Sequence, residues 1–155
     1  MADVIPTAVF ECAPFDGFSE EARARLPEAG EVLHVAAHDG VYNATEPSDG
    51  LYILLSGKVR LVDPLLSTLS EENGKDYDVP GTLLSKGSVL EPFAHRHQLF
   101  ATEDATLLLV RRERFEALFD EDHPVAFALL DHLVHDISAD VRELNHAVQR
   151  LLSDA

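Results

Sequence analysis

Asp49-Gly50-Leu51-Tyr52-Ile53-Leu54-Leu55-Ser56-Gly57-Lys58-Val59-Arg60-Leu61 reads as a strand, a glycine turn and a return strand. The first half is an unbroken apolar run of strand length. In Lys58-Val59-Arg60-Leu61 charged and apolar residues alternate, as on a strand with one buried face. The same grammar runs from Glu31 to Leu109, where short apolar runs are cut by Asp39-Gly40, Ser48-Asp49-Gly50, Asn73-Gly74 and Lys86-Gly87. Both residues of Asn73-Gly74 tolerate positive φ, which suits a tight hairpin turn. Many short strands at this spacing predict an antiparallel barrel or sandwich rather than an alternating α/β fold.

Helical signals flank the strands. Phe18 to Leu26 reads as a short helix, with Ser19 as its cap, Glu20 and Glu21 in the first turn and Arg25 near the end. Arg111 to Phe119 reads as another, and Asp122-His123-Pro124 opens a third, with proline suited to the first turn. No breaker follows before the chain ends. The expected fold is mainly β with flanking helices: a double-stranded β-helix (jelly-roll) barrel plus a long C-terminal dimerisation helix. We expect a single domain over 1–155, with an opening helical region at 14–30, the barrel at 31–110 and a helical hinge and coiled-coil helix at 111–155.

The last helix carries the most regular pattern in the chain. Phe127, Val134, Val141 and Val148 fall at heptad a, and Leu130, Ile137, Leu144 and Leu151 at d. β-Branched residues at a with leucine at d favour two parallel strands. The first turns, with Phe127 and Leu130, are expected to pack on the barrel. A dimer seam is expected over Val134, Ile137, Val141, Leu144, Val148 and Leu151, because a helix reaching residue 152 outruns a small domain.

The chain has 155 residues, is 46% hydrophobic and carries a formal net charge of −16. That content supports a real core, and that charge repels nucleic-acid phosphates and anionic lipid. Nucleic acid and membrane are therefore not expected partners; a protein partner is. Cys12 is the single cysteine, which excludes an internal disulfide. The N-terminus has neither a basic region nor a long apolar run, and no apolar segment reaches membrane-spanning length, so a cytoplasmic location is expected.

The ordered set of elements resembles the cyclic-nucleotide-binding domain family. Pro14-Phe15 with Phe18 to Leu26 is similar to the family's opening helix, Asp49 to Leu61 to its most recognisable stretch, and Asn73-Gly74-Lys75 to the next hairpin. Leu84-Ser85-Lys86-Gly87 resembles the strand leading into the ligand pocket. Ala101 to Phe119, followed by His123-Pro124, resembles the closing strand, the short helix and the start of the long helix. The resemblance implies a phosphate-binding cassette: a glycine–glutamate pair, a short helix, and an arginine before the next strand. Glycine and a helix N-terminus bring backbone N–H groups to the phosphate, glutamate accepts from the ribose hydroxyl, and arginine meets the phosphate charge.

Counted on from Gly87, Glu91 falls where the second glycine belongs and Pro92 where the glutamate belongs. Counted back from Ala101, His95 falls on the arginine position, with Arg96 one place late. Three positions separate Pro92 from His95, so the cassette helix is expected to be missing and the usual binding mode lost. The degenerate ligand site is Gly87, Glu91, His95, Arg96 and His97, and any regulation is expected to enter there. No cofactor is expected. DNA-binding members of the family carry a helix-turn-helix after the long helix, and none is expected here.

His95-Arg96-His97 is also the one local pattern suited to metal, with His34, His38 or Glu103 as further ligands. Cupins share the barrel architecture and use such a pair, although their motif spacings do not match. No nucleophile elbow or phosphate loop is present. The leading reading is thus a non-enzymatic regulatory or scaffold module acting through homodimerisation and protein partners. The alternatives are a genuine cyclic-nucleotide sensor with a remodelled cassette and a cupin-like metal-binding protein or enzyme using His95 and His97.

Overall fold

The computed structural model describes residues 5–12, 15–63 and 74–154. The expected Asn73 turn residue and Pro14 lie outside them. Two four-stranded antiparallel sheets face each other. One contains β1 (Glu31–Val35), β8 (Ala105–Arg111), β3 (Gly50–Ser56) and β6 (Leu83–Leu84), in that order. The other contains β2 (Gly40–Tyr42), β7 (Gln98–Ala101), β4 (Val59–Val62) and β5 (Gly74–Tyr77). The jelly-roll expectation holds.

The strand and return strand around Gly57 do not pair with each other. β3 hydrogen-bonds to β8 and β6, whereas β4 bonds to β7 and β5. Gly57 is where the chain changes sheet. Its φ is +87°, and a Cβ there would stand 2.2 Å from the Asp104 carbonyl oxygen. Only glycine fits that crossing.

β3 is buried on both sides, which explains its unbroken apolar run. Tyr52 and Leu54 face the barrel interior with Leu107 and Leu109. Leu51, Ile53 and Leu55 face outward onto the helices, with Leu108 and Val110. Those helices are α1 (Glu20–Arg25), α2 (Arg112–Asp120) and α3 (Pro124–Ser153). Ser19 caps α1 as expected, its hydroxyl accepting from the Ala22 N–H at 3.1 Å. At α3 the cap is His123, whose Nδ1 accepts from the Val125 N–H at 3.2 Å.

α3 has two apolar faces. Val125, Ala126, Leu129 and Leu133 are buried against the domain. The heptad face points elsewhere. Leu130 is half-buried against the core, as expected, but Phe127 is 67% exposed, its ring edge-on to Phe119. The expectation that Phe127 packs on the barrel is corrected: the docked stripe is centred on Leu129, about 160° around the helix from Phe127. Val141 (51%), Leu144 (64%) and Leu151 (72%) are exposed, as are Val134 and Val148, while Ile137 is half-buried. Among the described residues, α3 side chains beyond Asp140 are exposed apart from half-buried Ala147.

Candidate functional site

A cavity of about 440 Å³ opens between the barrel, the segment Val79–Lys86 and α3. Tyr42, Leu61 and Tyr77 line its barrel side, and His132, Asp136 and Asp140 line its helix side. Cys12 from the opening segment and Lys75 from β5 complete the wall. Gly81, at φ +94°, lets the chain turn into β6 beside Phe15 and the Val9 carbonyl.

After β6 the chain enters a tight turn. Ser85 adopts a left-handed conformation, and a single 3-10 turn runs over Lys86–Val89. The hydroxyls of Ser85 and Ser88 hydrogen-bond to each other. Arg112 fastens this turn from the far side, its Nε donating to the Ser88 carbonyl at 2.7 Å and Nη2 to the Ser48 carbonyl at 3.0 Å. The turn is thereby tied to the start of both β3 and α2. No helix lies between Pro92 and His95, and the short 3-10 turn comes earlier, at Lys86–Val89.

Lys86 reaches from that turn to α3. Its Nζ lies 2.9 Å from Asp136 Oδ2 and 2.5 Å from Asp140 Oδ2. Burial pulls the ammonium pKa down, but hydrogen bonds to Asp140 and Asp136 outweigh it and hold it above the ordinary lysine value. Lys75 sits 5.2 Å from the Tyr77 ring centroid, a cation–π arrangement. His132 is 3% exposed, and neither ring nitrogen has a hydrogen-bond partner among the described residues. Desolvation lowers its pKa, against smaller raising effects of Asp136 and the nearby Gly81 backbone, which favours the neutral imidazole.

None of the five residues expected at the ligand site is among those that line this cavity. Gly87 lies within the turn, and Glu91 is exposed beyond it. His95 is buried with its ring stacked on Tyr42, centroids 3.7 Å apart and planes 7° apart. Desolvation lowers its pKa, against Asp49 and Glu46, so it too favours neutrality. Arg96 is largely exposed, its Nε 3.6 Å from Asp63 Oδ2. His97 is half-buried. The two histidines flank a bend rather than share a strand face. Among the described residues, no three His, Cys, Asp or Glu side chains come together as a metal ion needs.

Sequence reasoning missed Lys86, Asp136, Asp140 and His132. The sequence reading puts Leu84–Gly87 on the strand leading into the pocket, whereas β6 ends at Leu84 and Lys86 and Gly87 lie in the turn. The available signal was the spacing of His132, Asp136 and Asp140, which puts all three on one helix face.

The family profile described as "Cyclic nucleotide-binding domain" matches residues 32–122. This chain belongs to that family. The domain is also similar to a cyclic nucleotide-binding domain from Methylobacillus flagellatus, with TM-score 0.71 and 17% identity over 97% of this chain and 82% of that one. The catabolite activator protein of Thermus thermophilus matches with TM-score 0.68 and 22% identity, covering 93% of this chain and 62% of that one. The N-terminal domain of a Streptomyces coelicolor transcriptional regulator gives TM-score 0.65 and 21% identity, over 92% and 95%. A curated relative, lysophospholipase NTE1 of Candida glabrata, is 31% identical over 130 residues, covering 71% of this chain. The chain spans 7% of that relative's length. The cyclic nucleotide-binding family is one of binding domains. Among the described residues, no helix is long and apolar enough to cross a membrane.

Proposed function

We propose that this domain is a non-enzymatic regulatory module that has lost the usual cyclic AMP and cyclic GMP mode and works as a cytoplasmic homodimer with a protein partner. The observation that carries the reading is Lys86. In the family pattern a glycine–glutamate pair opens the cassette's short helix, and here Ser85-Lys86 opens it. A lysine has no lone pair to accept from a ribose hydroxyl. At the arginine position, His95 is a ring stacked on Tyr42 that favours the neutral form, so the charge a phosphate needs is absent there. Arg96 is held toward Asp63.

The dimer reading is supported by the heptad face of α3, whose valines and leucines are exposed on the single chain. A second copy is the occupant the pattern fits, because valine at a and leucine at d suit a parallel pair. Of the positions that flank the seam, Ser138, Asn145 and Ala147 are uncharged and Asp140 is acidic. The acidic surface, at net −16, suits a protein partner with a basic face.

One observation favours the nucleotide-sensor alternative. The cavity is large enough for a small ligand and presents Lys75 and Lys86. Thermal melting with millimolar nucleotide tests between the two. A specific ligand at a hundred times its Kd adds about 2.7 kcal/mol, or about 5–10 °C for a domain of this size. We expect no shift. A saturable rise that Lys86→Met removes would establish the sensor instead.

A further inference from the structure

α3 changes character at Asp140. Before it, Val125, Leu129 and Leu133 are buried in the domain, and beyond it the helix projects with its side chains exposed. Lys86 meets the helix at that boundary. Asp136 and Asp140 are four residues apart, so their like charges destabilise an isolated helix. A single ammonium lying between both carboxylates removes that repulsion and ties the helix to a turn some fifty residues earlier in the chain. The Lys86 side chain is only 21% exposed, and the turn that carries it is itself held to α2 and β3 through Arg112. The arrangement is therefore anchored at both ends.

We propose that Lys86 is an ionic clasp that fixes the docked half of α3 against the turn. The clasp sets the direction in which the projecting half, and so the seam, leaves the domain. It rests on the regulatory reading above and adds the means of regulation: the helix is released by whatever screens or neutralises this bridge.

Amide hydrogen exchange on the full chain tests the clasp. Lys86→Met is expected to speed exchange of the amides from Leu129 to Asp140 about fivefold, while β3 and β8 amides keep their protection. Asp136→Asn with Asp140→Asn is expected to give the same profile, and adding Lys86→Met to that pair should change nothing more. Raising salt from about 0.05 M to about 1 M should loosen the same amides in the unmutated protein, which needs no variant to fold. Unchanged exchange, or fully additive effects, overturns the clasp. So does a loss of protection spread evenly over the barrel, which would mark Lys86 as a global stabiliser. Nucleotide binding or a monomeric wild type would overturn the regulatory reading alone, whereas unchanged exchange in a nucleotide-indifferent dimer would overturn the clasp alone.

Discussion

Replacing Val141 and Leu144 together with glutamate separates folding from association. Both side chains are more than half exposed on the single chain. The substitutions should therefore leave the melting behaviour of the barrel within about 0.5 kcal/mol per site. In a parallel pair the same positions lie in the seam, and each chain brings two, so four carboxylates would be buried without partners. Even at about 2 kcal/mol apiece, below the usual cost of an uncompensated buried charge, association loses about 8 kcal/mol. That is about a millionfold in Kd. Light scattering across a concentration series should show a dimer for the wild type and a monomer for the variant, with the same near-UV signature for both. A variant that still dimerises would refute the assignment of the seam. A variant that loses its barrel would show that this face packs on its own domain, against the exposure seen here.

Three further outcomes follow from the same geometry. Leu129→Ala removes a fully buried side chain from the docked face of α3 and should cost about 2–5 kcal/mol of stability in a denaturant titration while leaving the dimer intact. His95 and His132 both have folded pKa values below the unfolded value, chiefly through desolvation. The unfolded state then binds more protons, so stability should fall as pH drops through about 6.5 and be flat above it. Melts at successive pH values should show this, with a shallower slope for His132→Leu. Restoring the family's acid and arginine together, as Lys86→Glu with His95→Arg, should confer a cyclic-nucleotide-dependent rise in melting temperature that neither single change gives.

The fold was legible because its signals are local. Gly57 between an apolar run and an alternating one, Ser19 before two glutamates, and Pro124 before a long unbroken pattern each announce a specific backbone conformation. The site was less legible for physical reasons. The turn at Lys86–Val89 is too short to have a period, so counting on from Gly87 and back from Ala101 was the only guide. The clasp joins residues some fifty positions apart, a pairing that no local pattern encodes. On α3 the strict heptad drew attention from the second stripe of Val125, Leu129 and Leu133, which is shorter but is the one that docks.

Sedimentation equilibrium of the wild-type protein, with and without millimolar cyclic AMP or cyclic GMP, is the most direct test of a standing dimer that does not answer to nucleotide. A standing dimer gives twice the chain mass of 17.1 kDa, unchanged by either nucleotide. A monomer at every concentration, or a mass that shifts when nucleotide is added, would contradict it.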